Sequence, residues 1–203
     1  MMKRTTLAAL ALMLMAAATA EAQVRGVSPR SWAALYGQMY TGISRFYDPD
    51  TQSDWVFDDN AFGFGAALMR EITPGLLLGA DVGLARTDYE RRVRDSSVPV
   101  PEATGTATVA TALLTGRVAY GGPTELGFYL TGGLGTIAYR LEDLAEWNAD
   151  FALRAGTGLE YRMAPSRALY LEWARLWGYH EREGIGGGAA QHSVLQLGLR
   201  FGL

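Results

Sequence analysis

The sequence predicts an all-β protein, an eight-stranded antiparallel up-and-down transmembrane β-barrel. Apolar residues alternate with polar or small ones over eight segments, so each segment has one apolar face. The connections between these segments alternate between short turns and longer polar loops. The N-terminus has the pattern of a secretory signal peptide. Together these observations favour a barrel whose wall contacts lipid and whose interior is polar.

Residues 1–22 are predicted to be a cleaved secretory signal peptide. Two basic residues precede an apolar run that ends near Ala18, and Ala20-Glu21-Ala22 supplies small residues for cleavage before Gln23. The run is too short for a comfortable membrane span, which favours a signal peptide over a transmembrane helix. From the strand alternation described below, residues 23–203 are expected to form one outer-membrane β-barrel domain. The 203 residues carry a net charge of −3 and no cysteine, which disfavours a nucleic-acid partner, disulfides and a cysteine-linked lipid.

Eight strands are predicted from the alternation and from the turn residues that separate the segments. The closing strand is the clearest, because Leu195, Leu197 and Leu199 share one face and Gln196 and Arg200 share the other. The predicted strands cover residues 31–42, 59–71, 76–89, 105–120, 126–140, 147–163, 168–180 and 191–203.

The connections fall into two classes of length. The short ones are Thr73-Pro74-Gly75, the segment 121–125 and Ala164-Pro165-Ser166-Arg167, where Pro and Gly favour tight turns. A membrane barrel with both termini in the periplasm has short turns at one rim and long loops at the other, whereas a soluble β-sandwich, the main alternative, does not require this segregation. We expect the bacterial outer membrane, with long loops extracellular and short turns periplasmic. The longer connections are 43–58, 90–104, 141–146 and 181–190.

The polar faces of the strands carry charges of both signs, and we expect them inside the barrel. Eight strands leave an interior just wide enough for side chains to fill, and charges confined there must pair. The sequence therefore predicts an interior salt-bridge network that plugs the lumen and toward which Gln196 points. The alternative is a catalytic or ion-conducting site built from Asp81, Glu160 and Glu172. The predicted network consists of Asp81, Arg117, Arg154, Glu160, Arg162, Glu172 and Arg200.

Aromatic residues fall near both predicted rims, as is typical of the two interfacial belts of a membrane barrel. Arg70 and Arg175 share the parity of the apolar face, so we expect them near a rim or at a bulge. The belt at the short turns is predicted to contain Tyr120, Phe128, Tyr161, Tyr170 and Phe201, and the belt at the long loops Tyr40, Phe62, Tyr89, Tyr139, Trp147, Trp177 and Tyr179.

The signal peptide, the eight strands, the short turns and the terminal Gln196-Leu-Gly-Leu-Arg-Phe-Gly-Leu203 resemble the small outer-membrane β-barrel family of the OmpA/OmpX type, the porin-family outer-membrane β-barrel domain proteins. The resemblance implies contact with outer-membrane lipid and lipopolysaccharide, and insertion by the barrel-assembly machinery. That family usually ends in an aromatic residue. Here Phe201 and Leu203, on one face, are the candidates for the assembly signal. A monomer is expected.

Three functions stay open at this point. The first is a non-enzymatic barrel with a structural or surface-interaction role through its long outer loops. The second is a lipid A-modifying acyl hydrolase, because the stretch ending in His180 resembles the penultimate strand of outer-membrane lipid A deacylases. That family has a serine two residues after its histidine, whereas Arg182 stands there, and His192 and Ser193 should point to opposite faces. The third is a narrow channel for small solutes.

No metal or cofactor is expected from the residue spacing. The two histidines have no His, Cys or Asp neighbours at the spacing of a metal site. Asp48, Asp50 and Asp54 in the first long loop are a candidate cation site, although a solvated acidic loop is the favoured interpretation.

Overall fold

The computed structural model describes residues 31–41, 45–48, 53–57, 61–93, 104–120, 126–142, 147–182 and 185–203. The predicted signal peptide and the short connection 121–125 lie outside these ranges. Within them, no helix is long and apolar enough to cross a membrane. The strands are β1 Ser31–Thr41, β2 Arg45–Asp48, β3 Ser53–Phe57, β4 Ala61–Thr73, β5 Leu76–Val93, β6 Thr104–Tyr120, β7 Leu126–Leu141, β8 Asn148–Ala164, β9 Arg167–Arg182 and β10 Ile185–Gly202.

Strands β1 and β4 to β10 close into an eight-stranded antiparallel barrel, which confirms the predicted fold class. The order around the wall is β5-β4-β1-β10-β9-β8-β7-β6, and the pairing of β5 with β6 completes the circle. The first and last strands are neighbours, with Leu35 opposite Leu199 and Gln38 opposite Gln196. Closure leaves these strands without a free edge, so backbone amides within the wall have partners.

The predicted strand ends lie within two residues of the observed ones at the short turns, whereas at the long loops two strands extend well beyond the prediction. β5 continues to Val93, and β10 begins at Ile185. The segment 43–58, predicted as a polar loop, contains the hairpin β2–β3, and this part of the prediction is wrong. β3 pairs with the far end of β5, so the sheet continues beyond the closed barrel on this side.

Two of the predicted short turns are present and define the short-turn rim of the barrel; the opposite end is the long-loop rim. Pro74 and Gly75 join β4 to β5, and Pro165 and Ser166 join β8 to β9. Gly75 has a φ of 81°, a conformation that a side chain disfavours, and its amide donates to Glu71 Oε1 at 3.2 Å. The turn residues therefore lie where the sequence predicted them.

The outward face of the wall is apolar and exposed, which confirms the predicted direction of the strand faces. Phe62, Phe64, Leu68 and Leu114 are each more than 60% exposed, although they belong to regular strands. A contiguous apolar surface of this kind is typical of a membrane-facing wall.

The aromatic residues divide between the outer wall and the interior. Phe62, Tyr120, Phe128, Trp147, Tyr161 and Tyr179 are exposed at the two rims, as predicted for interfacial belts. The assignment of Tyr40, Tyr89, Tyr139 and Tyr170 to the belts is wrong, because all four are buried inside the barrel. Their parity places them on the inward face of their strands.

Candidate functional site

A cluster of charged side chains fills the half of the interior that lies toward the short turns. Each member is at most 8% exposed, although each carries an ionisable group. They reach the same region because alternate residues on β5, β6, β8, β9 and β10 point inward. Six of the seven residues predicted from sequence lie in this charged cluster: Asp81, Arg117, Arg154, Glu160, Glu172 and Arg200.

One part of the charged cluster is centred on Glu160. Arg117 Nη2 donates to Glu160 Oε2, and Arg200 Nη2 donates to Glu160 Oε1 at 2.5 Å. The Arg117 guanidinium carbon lies 3.3 Å from the centroid of the Tyr129 ring, and that of Arg200 lies 4.3 Å from the Trp32 ring. Each arginine is thus held by a carboxylate and by an aromatic face, both of which attract a cation.

The other part of the charged cluster is centred on Arg154. Its Nη2 donates to Glu172 Oε1 and, at 2.7 Å, to Gln196 Oε1, while its Nη1 lies 3.5 Å from Asp81 Oδ2. The Tyr36 hydroxyl donates to Asp81 Oδ1 at 2.6 Å. Arg154 therefore bridges two carboxylates, whereas Glu160 bridges two arginines.

The two parts are complementary in charge and joined by one tyrosine. Two cations and one anion meet at Glu160, and one cation and two anions meet at Arg154, so the formal charges of the six residues cancel. Tyr129 contacts Arg117 with its ring and donates to Glu172 Oε2 at 3.0 Å with its hydroxyl. Pairing of this kind is what makes the burial of full charges tolerable. The arrangement links side chains from strands across the whole interior.

Arg162 does not lie in the charged cluster, which corrects the sequence assignment. Its parity is inward, but it is exposed at the short-turn rim. The register between β8 and β9 shifts between Arg162 and Ala164, where the strand runs into its turn. The alternation that places a residue inside the wall therefore ends before this position.

The half of the interior toward the long loops is filled mainly by apolar side chains, which were not predicted from the sequence. Ile137 is completely buried, and Tyr139 and His192 share a hydrogen bond of 2.8 Å. The available signal was that β6 and β7 carry large apolar residues at inward parity near their long-loop ends. This apolar cluster contains Tyr40, Ala61, Ala85, Tyr89, Ala107, Val109, Leu113, Ile137, Tyr139, Leu141, Ala152, Leu176 and Val194.

Two inward tyrosines lie flat against a neighbouring strand because a glycine faces each ring. Tyr36 is opposite Gly65, and Tyr129 is opposite Gly158. A Cβ atom on either glycine would overlap the tyrosine ring. The glycines therefore allow the close approach that positions both hydroxyls on carboxylates.

The residues considered for catalysis are separated by the barrel wall or engaged in ion pairs. His192 is buried inside, and Ser193 faces outward and accepts a hydrogen bond from Arg175 Nη1 at 2.7 Å, so the two point to opposite faces as predicted. The His180 side chain and Asp50 lie outside the described residues. Over the described ranges, no group of three or more His, Cys, Asp or Glu side chains is arranged to hold a metal ion.

The residues predicted to carry the assembly signal end the closing strand. Phe201 pairs with Ala33 on β1 and Arg167 on β9, and the Leu203 amide donates to the Ser31 carbonyl at 2.8 Å. Both side chains are partly exposed. The end of the chain thus lies at the short-turn rim, on the seam between first and last strands.

Comparison with known proteins agrees with this architecture. Residues 6–201 match a family model described as an outer membrane protein beta-barrel domain. No curated protein sequence matches the chain. The fold is similar to that of outer membrane protein OprG from Pseudomonas aeruginosa, with a TM-score of 0.55 and 10% identity over 87% of this chain and 97% of that one.

Two further solved structures have similar folds. Neisserial surface protein A has a TM-score of 0.51 and 10% identity, over 85% of this chain and 97% of that one. The outer membrane protein AlkL, determined in lipid bilayers, has a TM-score of 0.50 and 15% identity, over 87% and 91%. At these identities the likeness concerns the fold alone.

Proposed function

Because the chain belongs to the outer membrane protein beta-barrel domain family, we propose that it is a closed, non-enzymatic barrel with a structural or surface-interaction role. The observation that supports this most is the filled interior. Charged side chains that are at most 8% exposed occupy one half, and an apolar cluster occupies the other. A solute crossing the lumen would have to separate buried ion pairs and then displace packed apolar side chains, and both steps are costly.

The same interior argues against a catalytic or ion-conducting role for its carboxylates. Asp81, Glu160 and Glu172 are all held by arginines, and each is also buried. A general acid or base has to reach a substrate, and an ion path needs an open passage lined by groups that can coordinate the ion. Neither requirement fits carboxylates that already serve as partners of Arg117, Arg154 and Arg200.

In this proposal the long-loop rim faces the outside of the cell and the short-turn rim faces the periplasm. The sheet extends past the barrel at the long-loop rim through β2 and β3, which gives that side the larger surface for contacts. A protein of similar fold is named as a surface protein of Neisseria. The chain would be secreted with residues 1–22 as signal peptide, inserted by the barrel-assembly machinery through Phe201 and Leu203, and monomeric among outer-membrane lipid and lipopolysaccharide.

Planar-bilayer conductance tests the closed interior. The full mature chain, shown to be folded by its heat-modifiable migration on gels, is expected to give no discrete current steps. Regular steps from folded protein would contradict the proposal. The lipid A of cells that express the protein should also be unchanged, and loss of an acyl chain would establish the hydrolase instead.

Single cysteines test the orientation, since the natural sequence has none. Thr104→Cys, which is exposed at the long-loop rim on β6, should react with a membrane-impermeant maleimide on intact cells. Arg167→Cys, which is exposed at the short-turn rim, should react only after the outer membrane is opened. The reverse pattern would overturn the orientation but not the closed interior.

A further inference from the structure

A charged groove of about 230 Å³ lies on the outer wall at the long-loop ends of β5, β6 and β7. It is separate from the charged cluster, because its residues have outward parity. Arg86 and Arg140 are exposed, and Thr108 between them is half-buried. The groove is lined by Arg86, Thr106, Thr108, Arg140 and Glu142.

Strand pairing places the two arginines in one row across the wall. Arg86 on β5 is opposite Thr108 on β6, and Thr108 is opposite Arg140 on β7. Neighbouring strands are about 4.8 Å apart, so the arginine backbones are about 10 Å apart. Two long side chains at this spacing reach the same group bound above Thr108.

The row marks the boundary at which the apolar wall ends on these strands. The next row toward the short turns is Leu84, Ala110 and Ala138. On the other side of the arginines, the Thr106 hydroxyl donates to Asp88 Oδ1 at 3.5 Å, and the Glu142 amide donates to the Thr106 carbonyl at 3.0 Å. Cations therefore separate apolar residues from a row that carries two carboxylates.

Both arginines are exposed on the outer wall. No ion pair within the described ranges involves Arg86 or Arg140. By contrast, the outward Arg175 on β9 donates to Ser193 and to Gln191 Oε1, at 2.7 and 2.8 Å. The groove thus carries two exposed arginines that have no ion-pair partner among the described residues.

We propose that this groove binds the phosphate-bearing headgroup of an outer-leaflet lipid. Guanidinium groups match phosphate oxygens through paired hydrogen bonds, and the Thr108 hydroxyl adds a donor between them. The apolar row below the arginines fits the acyl side of a lipid. The Asp88 and Glu142 carboxylates repel phosphate on the water side, which confines the headgroup to the arginine row. The outer-leaflet assignment rests on the proposed orientation of the barrel.

Native mass spectrometry of the detergent-solubilised full chain tests the groove with lipid A as the probe. Wild type should bind bisphosphorylated lipid A about tenfold or more tightly than the R86A/R140A double variant, since each charged hydrogen bond contributes about one power of ten. Lipid A without phosphates should bind to wild type as weakly as the phosphorylated form binds to the double variant. Excess inorganic phosphate should not displace the bound lipid.

The matched control is R70A/R167A, which removes two outward arginines at the short-turn rim. This variant should bind lipid A as wild type does. Equal binding by wild type and R86A/R140A, or equal binding of both forms of lipid A, would overturn the proposed site. Heat-modifiable migration and absence of conductance in R86A/R140A would show that the closed barrel persists, so failure of the lipid site is distinguishable from failure of the proposed function.

Discussion

Toward the short turns the barrel interior is held by charged side chains, whereas toward the long loops it is held by apolar ones. The charged half depends on specific pairs, because each charged group needs a particular partner at hydrogen-bond distance. Arg154 on β8 thus reaches Asp81 on β5, three strands away. The apolar half depends on volume and tolerates exchange of similar side chains. The comparison indicates that the charged half links particular strands across the interior through specific pairs, while packing in the apolar half seals the barrel.

The largest expected effect concerns the charged half. Glu160→Gln removes the anion shared by Arg117 and Arg200 and leaves two buried cations, which should lower the free energy of unfolding by about 3–5 kcal/mol. Urea titration of tryptophan fluorescence in lipid vesicles measures this. The exposed Glu142→Gln should change it by less than about 0.5 kcal/mol. Equal small effects of both substitutions would show that the buried pairs do not specify the charged half.

A cavity in the apolar half should have a graded and smaller effect. Ile137 is completely buried, so Ile137→Ala should cost about 3 kcal/mol and Ile137→Val about 1 kcal/mol in the same titration. The proportional loss is the signature of packing. If alanine costs no more than valine, the apolar cluster does not behave as a close-packed core and the contrast between the halves is lost.

The smallest expected effect sharpens the comparison at the residue that joins the two parts of the charged cluster. Gly158→Ala places a methyl group in the Tyr129 ring and should cost about 1–3 kcal/mol. Displacing this ring also weakens its contacts with Arg117 and Glu172. Gly37→Ala is the control, because a Cβ there meets nothing within 4 Å. Similar stabilities of the two variants would mean that the ring moves without consequence.

The sequence was sufficient to predict the wall, because alternation in a strand directly determines which face a residue occupies. The same rule placed six charges correctly inside and failed for Arg162, where the turn interrupts the alternation. The alternation rule does not identify which charged side chains pair with each other. Arg117 and Glu160 lie on strands that are not neighbours, and their proximity depends on the stagger of the closed sheet.

The apolar cluster and the β2–β3 hairpin were missed for a different physical reason. Assigning apolar residues to lipid and polar ones to the interior leaves no place for Ile137 or Leu176, which are apolar and inward. In the 43–58 segment the acidic residues suggested a solvated loop. The hairpin forms there because β5 continues past the barrel and offers a pairing edge to β3. Both the apolar cluster and the hairpin depend on contacts with distant parts of the sequence, so the residues of each segment alone do not predict them.

The seam between β1 and β10 determines when the barrel can close. Gln38 and Gln196, which meet across this seam through a hydrogen bond of 3.4 Å, are 158 positions apart in the chain. A ribosome adds Gln196 long after Gln38, so the circle cannot close before the strands between them have been made. Until closure, the sheet formed by the earlier hairpins has unpaired edges. Contacts between residues so far apart in the sequence are slow to form. The interval before closure is therefore when this barrel needs protection from aggregation.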